Sequence, residues 1–350
     1  MTGREIVQKA LKFDSPERTP RHLWHLPWAK YNFPQELEEI LTQFPDDVVY
    51  PPNCYTDINE SVYNFYSPDG ASHQIGEATD EWGCTFVNYT QGIIGEVKDP
   101  VVKDWKDIDK ITIPYNYLAI DKNKVNSFCK STDEYVLAGF VGGNLPRPFE
   151  KLQFIRGSEN LYVDMFEKPK ELFDFIEKLH DFYKKSFEMW AQTDVDGLSF
   201  MDDWGSQRSL LISPKTWVEI FKPLYRDYSD IAHKYGKDIF MHSDGYILDI
   251  YPHLIDIGID AVNSQIFCMG VENLKPYRGK ITFWGEIDRQ HLLPKGSLKD
   301  IESAVRLLYD NLYYKGGIFA QCEFGAGANP ENVKKVFETW KDIDDSNKKK

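Results

Sequence analysis

Polar side chains with reactive or ligating groups stand at the ends of short apolar runs along this chain of 350 residues. In chain order the eight runs are RHLWHL (21–26), DDVVYPP (46–52), YVLAGFVGG (135–143), GLSFMDDWG (197–205), DIFMHSDG (238–245), AVNSQ (261–265), ITFWGEID (281–288) and GIFAQCEFG (317–325). Most of them end in His25, Asp202 and Asp203, His242 and Asp244, Asn263 and Gln265, Glu286, or Cys322 and Glu323. Chemistry at the carboxyl ends of parallel strands is typical of barrel enzymes. The sequence therefore predicts an α/β fold, a (β/α)8 or TIM barrel, with one shared site above its strands.

His242 and Asp244 leave the fifth run two residues apart, so the period of a strand puts both side chains on the same side. This spacing suits two metal ligands, or an acid–base pair in which one group orients the other. The alternative is a cluster in which Asp244 and Gly245 only turn the chain. Cys322 follows the last run, and its sulfur could meet the His242 imidazole at a zinc ion in the barrel mouth. A small buried side chain without a ligand role is the alternative for Cys322.

Two adjacent carboxylates, Asp202 and Asp203, end the fourth run together with Trp204. Neighbouring side chains on a strand point to opposite faces, so we expect one carboxylate to enter the barrel mouth. We expect the other to cap the following helix or to bind the loop 205–208, which contains Gln207. An aspartate beside a tryptophan in apolar surroundings can have a raised pKa and act as a general acid. Two aspartates that only cap loops are the alternative.

Carboxylate and amide groups at neighbouring strand ends are typical of substrate binding, or of residues that support a metal. Glu286, Asn263 and Gln265 form such a set, and His25 is the histidine that ends the first run. The candidate catalytic residues are Asp203, Glu286 and Asp202, and the candidate substrate-binding residues are His25, Arg21, Gln207, Asn263, Gln265 and Trp204.

The composition argues against several classes of partner. A net charge of −14 and a pI of about 5.1 are unsuited to nucleic acid or anionic membrane as the main partner. The five cysteines form no CxxC pair, and the first residues form an amphipathic pattern without a signal peptide, so we expect a cytoplasmic protein. No stretch approaches the roughly 18 apolar residues of a transmembrane helix.

The segments between the apolar runs have helical periodicity, with Ser213, Ser297 and Asn329 at expected helix starts. Strand and helix alternate regularly after residue 196, which favours a parallel sheet. One insertion, 79–105, alternates and carries turn signals, so we predict an antiparallel β excursion after the second barrel strand, as a flap over one mouth.

A doubly wound sheet is the alternative fold. A doubly wound sheet usually has a Gly-rich loop after its first strand, and no such loop follows any of the eight runs. The two glycines of FVGG (140–143) do not open a helix-like pattern. The absence of a linker predicts a single domain over 1–345 and a frayed tail over 346–350.

The order of these motifs over nearly the whole chain resembles the uroporphyrinogen decarboxylase superfamily. The segments that carry the resemblance are SPERTPRHLW, DEWGCTFVNYTQGIIGEVKDPVVKDW, FMDDWGSQRSLLISPKTW, FMHSDGYILDIYPHLIDIGIDAVNSQ and ITFWGEIDRQHLLPKGS. The resemblance implies a (β/α)8 barrel. It also implies one of two activities: a cofactor-free decarboxylase of haem biosynthesis, or a zinc-dependent methyltransferase that moves a methyl group between a corrinoid protein and a thiol or another acceptor.

The two branches differ in residues that can be compared here. The decarboxylases resemble one another in an arginine-rich element of the type RQAGR, whereas this chain has RHLWHLPWAKY and keeps only Arg21. The methyltransferases have a His-x-Cys pair and a distant cysteine as zinc ligands. His242 matches the histidine, Cys322 stands where the distant cysteine would be, and Asp244 replaces the middle cysteine. The resemblance therefore implies zinc held by His242, Asp244 and Cys322, with Glu286 or Glu323 able to complete the site.

The first hypothesis is a zinc-dependent methyltransferase with a small-molecule substrate, a separate corrinoid protein as partner, and a homodimeric state implied by the resemblance. The second is a metal-free decarboxylase of uroporphyrinogen or a smaller carboxylic acid. In it Asp202 or Asp203 would stabilise a cationic intermediate, and Arg21 or His25 would hold carboxylates. The third is a non-catalytic barrel that carries a corrinoid or tetrapyrrole.

Overall fold

The computed structural model describes residues 1–66, 70–139 and 146–348. Its strands are β1 Arg21–His25, β2 Val48–Val49, β3 Gly76–Thr79, β4 Thr85–Asn88, β5 Glu96–Val97, β6 Tyr135–Ala138, β7 Gly197–Met201, β8 Asp238–Ser243, β9 Ala261–Ser264, β10 Thr282–Phe283 and β11 Ala320–Phe324. Each of the eight predicted runs contains one of these strands. The FVGG segment (140–143), which ends the third run, lies outside the described residues.

Helices fill the intervals between the strands. The α-helices are α1 Gly3–Leu11, α2 Pro27–Asn32, α3 Pro34–Gln43, α4 Glu60–Tyr63, α5 Lys122–Ser131, α6 Pro148–Arg156, α7 Ser158–Glu167, α8 Lys170–Ala191, α9 Pro214–Ile220, α10 Lys222–Lys234, α11 Tyr251–Asp256, α12 Ile266–Met269, α13 Val271–Leu274, α14 Leu292–Lys295, α15 Leu298–Leu312 and α16 Pro330–Asn347. Short 3-10 helices cover Asn64–Tyr66, Ala71–His73, Trp105–Lys110, Tyr115–Leu118, Leu248–Ile250 and Lys275–Tyr277.

The predicted helix starts are confirmed by side-chain caps. Ser213 Oγ accepts the Thr216 N–H at 3.0 Å before α9, and Ser297 Oγ accepts the Asp300 N–H at 3.2 Å before α15. Asn329 caps α16 in the same way. These bonds satisfy amide groups that have no partner within a helix's first turn. The one-domain division at residue 345 stays a prediction, and residues 349–350 lie outside the described chain.

A curled sheet of parallel strands forms the centre of this α/β fold. Six strands pair in the order β10-β9-β8-β7-β6-β2, and β1 pairs with β11. A parallel bridge joins Phe283 to Ile318, just before β11, and the Asp47 N–H donates to the Arg21 carbonyl beside β1 at 2.9 Å. The strands follow one another in chain order, without the reversal of a doubly wound sheet. The arrangement is consistent with a TIM-like barrel.

Alternate side chains of the strands pack on opposite faces, as the period of two requires. One buried cluster lies inside the curl of the sheet and includes Tyr135, Leu137, Phe240 and Phe319. The intervening side chains join a larger cluster on the helix-covered face. This alternation decides which polar side chain at each strand end faces the interior.

The predicted antiparallel excursion is a three-stranded sheet in the order β3-β4-β5, inserted between β2 and β6. It begins at Gly76, three residues before the predicted start at residue 79. A buried ion pair anchors it: Lys151 Nζ of α6 lies 3.1 Å from Asp80 Oδ2, and both side chains are almost fully buried. Tyr66 and the amide groups of Trp82 and Cys84 also donate to this aspartate. Among the described residues, no helix is both long enough and apolar enough to cross a membrane.

Candidate active site

The carboxyl ends of β7 and β8 bring three ligating side chains together: Asp203, His242 and Asp244. We call this group the Asp203–His242–Asp244 triad. His242 Nε2 lies 3.6 Å from Asp203 Oδ1 and 3.6 Å from Asp244 Oδ1. The three ligand atoms all lie within 4.8 Å of one another. His242 is on the same face of β8 as the interior residue Phe240, which explains why its imidazole is only 6 % exposed.

Asn263 of β9 fixes the tautomer of His242. The Asn263 amide nitrogen donates to the Trp284 carbonyl at 2.5 Å, so the amide oxygen must face the imidazole. His242 Nδ1 lies 2.7 Å from that oxygen and therefore carries the proton. In the neutral ring this leaves Nε2 with a lone pair, which is the form that binds a metal ion. The sequence prediction that Asn263 supports a metal thus has a geometric basis.

Arg289 is a second feature of the site, and the sequence prediction did not include it. Its guanidinium bonds to Asp244 Oδ2 and, at 2.9 Å, to Glu323 Oε2. Burial opposes ionisation of Asp244, but the charges of His242 and Arg289 lower the pKa of this carboxyl below its usual range. Asp244 is therefore ionised. Its other oxygen, Oδ1, is buried without a hydrogen-bond partner among the described residues.

The remaining carboxylates of the site titrate at higher pH than usual. Burial, followed by the charge of Asp244, raises the pKa of Asp203 well above its ordinary value. Burial also raises the pKa of Glu286, which is 3 % exposed, and of Glu323. Four carboxyl groups thus lie around the guanidinium of Arg289, and a bound cation would stabilise their ionised forms.

Two cavities adjoin the triad and share no lining residue. One of about 300 Å³ is lined by Gln207, Arg208, Gln265, Ile266, Phe267, Cys268, Glu286, Ile287, Asp288, Arg289, Gln290 and His291. It meets the triad through Arg289, which contacts Asp244. The other is an open groove of about 1020 Å³ bordered by β5, α6 and the start of α7, and Asp203 lies in its wall. The structure thus brings Gln207, Gln265 and Glu286 together in one cavity; their substrate or catalytic roles stay predictions.

Asp202 and Trp204 face away from this site. Asp202 is fully buried and accepts the N–H groups of Phe149 and Glu150 at 3.0 and 2.8 Å, so it caps α6. Trp204 stacks on Phe149 with ring centroids 4.0 Å apart, inside the helix-facing core. The predictions of a catalytic Asp202 and a substrate-binding Trp204 are contradicted by these contacts. The two carboxylates do point in different directions, with Asp203 in the mouth, but Asp202 caps α6, which precedes β7, and not the helix that follows it.

The prediction that Cys322 is a metal ligand is contradicted by the direction of its side chain. Cys322 is fully buried in the helix-facing cluster, paired in register with Leu23. Its neighbour Glu323 projects to the interior and reaches Arg289. The strand period therefore separates the sulfur from His242 by the thickness of the sheet. Burial raises the pKa of the Cys322 thiol well above its ordinary value.

The first strand likewise corrects two predictions. Arg21 stands at the amino end of β1, at the opposite end of the sheet from the triad, with its guanidinium 5.5 Å from the Phe44 ring centroid. His25 is exposed at the carboxyl end, on the same side of the strand as Leu23. The interior histidine is His22, whose Nδ1 accepts the Trp284 Nε1–H at 3.0 Å. The sequence contained a signal for this. Leu23 is apolar and packs on the helix-covered face, so the period of two places its neighbour His22 on the interior face.

The triad has the donor set of a catalytic metal site. Zinc takes imidazole nitrogen and carboxylate oxygen at about 2.0–2.2 Å, and a tetrahedral site with such bonds has edges of about 3.4 Å. The two 3.6 Å separations around His242 Nε2 are close to that edge. The buried, unpartnered Asp244 Oδ1 faces the same imidazole. The residues present therefore fit a zinc ion with three protein ligands and an open position.

Comparison with known proteins agrees with the sequence resemblance. The family model described as uroporphyrinogen decarboxylase (URO-D) matches residues 2–343. This chain belongs to that family. No curated protein matches the sequence.

Solved structures give the fold. A methyltransferase from Methanosarcina mazei is similar with a TM-score of 0.64 at 13% identity, over 98% of this chain and 99% of that one. A 3-keto-D-glucoside 4-epimerase from E. coli is similar over 63% of this chain and 84% of its own, with a TM-score of 0.39 and 12% identity. At such identities the first likeness shows a shared fold and the second adds nothing to it.

Proposed function

We propose that this member of the uroporphyrinogen decarboxylase family is a zinc-dependent methyltransferase built on a closed (β/α)8 barrel. The proposed ligands are Asp203, His242 and Asp244, in place of the set with Cys322. The observation that carries the proposal is the tautomer of His242, which presents an Nε2 lone pair 3.6 Å from two carboxylate oxygens. When bound, zinc would lower the pKa of an acceptor thiol or related group in its open position.

The chain's own residues would prepare this site. Asn263 holds the His242 ring in one tautomer, and Arg289 holds the Asp244 carboxylate while leaving Oδ1 for the ion. Such supporting bonds commonly change metal affinity by about 10- to 100-fold. Because they are already present in the folded chain, the ligands need little rearrangement on binding.

The two cavities support transfer between two reactants over the loss of carbon dioxide from one. A small acceptor would occupy the cavity beside Arg289, and the methyl donor would approach through the groove that has Asp203 in its wall. We propose a corrinoid protein as that donor. The Methanosarcina mazei protein of similar fold is named a methyltransferase, which is consistent with this assignment.

The decarboxylase alternative has less support in the geometry. A substrate with many carboxylates needs unpaired cations in its pocket. Arg21, the cation on which that hypothesis relied, lies at the far end of β1, and Arg289 is already bonded to two carboxylates. Arg208 is the other arginine that lines the cavity, and one cation cannot pair with many carboxylates.

Metal analysis of purified protein tests the proposal, with His242→Ala and Cys322→Ser compared at equal concentration. We expect about one zinc per chain in the wild type and in Cys322→Ser, and loss of zinc from His242→Ala. Methyl transfer from free methylcobalamin to a thiol, followed by absorbance, should require the zinc-loaded protein. Full activity of metal-free protein, or zinc retention by His242→Ala with loss from Cys322→Ser, would contradict the proposal.

A further inference from the structure

A buried carboxylate in the cavity beside Arg289 has an oxygen that no described residue satisfies. The Glu286 side chain is only 3 % exposed, and its Oε2 has no hydrogen-bond partner among the described residues. Its Oε1 lies 3.9 Å from Arg289 Nε, which is too long for a hydrogen bond. Burying an acceptor without a donor is costly. A ligand that donates a hydrogen bond would remove this cost.

The other carboxylates near the cavity have partners within the protein. Asp288 Oδ1 accepts the N–H groups of Gln290 and His291, both at 2.8 Å, and therefore shapes a turn. Glu323 is bonded to Arg289 at 2.9 Å. Asp244 is bonded to the same arginine and is a proposed zinc ligand. Glu286 is therefore the cavity carboxylate that remains for a ligand.

The charge around Glu286 favours a cationic donor over a neutral one. Glu286, Asp244 and Glu323 bring three carboxyl groups to this region, and Arg289 supplies one positive charge to them. Arg208 and Asp288 also line the cavity, and their opposite charges offset each other. An ammonium group would offset the excess negative charge and would donate to Oε2, whereas a hydroxyl would do only the second. An anionic ligand would be repelled.

The remaining walls define the body of such a ligand. Ile266, Phe267 and Ile287 contribute apolar surface, and Gln207 and Gln265 contribute amides. A volume of about 300 Å³ is at the small end of ligand cavities. The cavity therefore suits a compact molecule with a polar head and a short apolar part.

We propose that this cavity binds the ammonium group of a small organic amine, with Glu286 Oε2 accepting its N–H. The identification of this amine as the substrate of methyl transfer rests on the proposed function; the binding itself does not. The ammonium group would anchor the molecule while another part of it extends past Arg289 toward the triad.

Calorimetric titration with three matched probes tests the proposal at neutral pH: butylammonium, 1-butanol and butyrate. They share one alkyl chain and differ in the charge of the head group. We expect measurable binding of butylammonium, weaker binding of butanol, and none of butyrate. Equal or tighter binding of butanol or butyrate, or no binding of butylammonium, would overturn the proposal.

Two variants locate the binding group. Glu286→Gln keeps the size of the side chain but cannot ionise against a bound ammonium group, so we expect the butylammonium dissociation constant to rise by about 10- to 100-fold. Asp288→Asn removes a charge from the same cavity wall, at a carboxylate already bonded to the backbone, and should change the constant less than threefold. Equal effects of both variants, or no effect of Glu286→Gln, would exclude Glu286 as the anchor.

Zinc measured on the same samples separates this proposal from the proposed function. Protein that discriminates butylammonium from butyrate but holds no zinc would refute the methyltransferase and leave the amine site intact. Protein that holds zinc at the triad but does not distinguish the three probes would refute the amine site and leave the proposed methyltransferase intact.

Discussion

Replacing Asn263 with alanine should weaken the metal site without removing a ligand. The substitution leaves two buried groups without their partners, the His242 Nδ1–H and the Trp284 carbonyl. A buried polar group left unsatisfied costs about 1–3 kcal/mol, so we expect a loss of about 2–4 kcal/mol in the free energy of unfolding once the new space is partly hydrated. The His242 ring can then adopt the other tautomer, and zinc affinity should fall by about 10- to 100-fold.

Urea unfolding gives the first quantity, and competition with a chromophoric zinc chelator gives the second. Asn332→Ala is the matched control, because Asn332 is also buried and donates to the Leu293 and Gly296 carbonyls at 3.0 and 2.9 Å. We expect the control to lose stability while its zinc affinity stays within about twofold of the wild type. Equal zinc affinities in Asn263→Ala and the wild type would refute the reasoning about the tautomer.

Three further substitutions test other parts of the structure. Asp202→Ala should lower the free energy of unfolding in urea by about 1–3 kcal/mol, because α6 loses its cap. Its zinc content should stay unchanged; loss of zinc would show that Asp202 contributes to the metal site. Lys151→Met should cost about 3–5 kcal/mol because Asp80 is left buried without its counter-ion, and the double variant with Asp80→Asn should recover part of this loss; an additive double variant would exclude the coupling. Burial lowers the pKa of His22 to about 3, so the unfolded state binds more protons than the folded state between about pH 3 and 6.5. Stability should therefore fall with decreasing pH in that window by up to about 1.4 kcal/mol per unit, and His22→Gln should show a correspondingly flatter pH dependence.

The strands and their order could be predicted because each is an apolar run bounded by turn residues. The antiparallel excursion could be predicted for the same reason, since 79–105 alternates between two such runs. At the strand ends, the period of two was applied correctly to His242 and Asp244, and to the division between Asp202 and Asp203. The same rule applied to β11 would have placed Cys322 and Glu323 on opposite faces of the sheet. The preference of zinc for thiolate, and then the resemblance to a His-x-Cys ligand pattern, favoured the cysteine instead.

Arg289 could not be placed from the sequence by the same argument. It lies in the loop after β10, three residues beyond Glu286, where no strand period fixes the direction of a side chain. Its contacts with Asp244 and Glu323 depend on how the loop folds over the mouth. The cavities likewise depend on loop conformation. Gln207 could therefore be proposed as a substrate-binding residue, but the sequence did not show that it shares a cavity with Gln265 and Glu286.

The central claim is that Asp203, His242 and Asp244 share one metal ion. Crystals of zinc-loaded protein, with diffraction recorded on both sides of the zinc absorption edge, test it directly. We expect an anomalous peak about 2.0–2.2 Å from His242 Nε2 and from one carboxylate oxygen of each aspartate. A peak at Cys322, or zinc bound only at the protein surface, would contradict the claim.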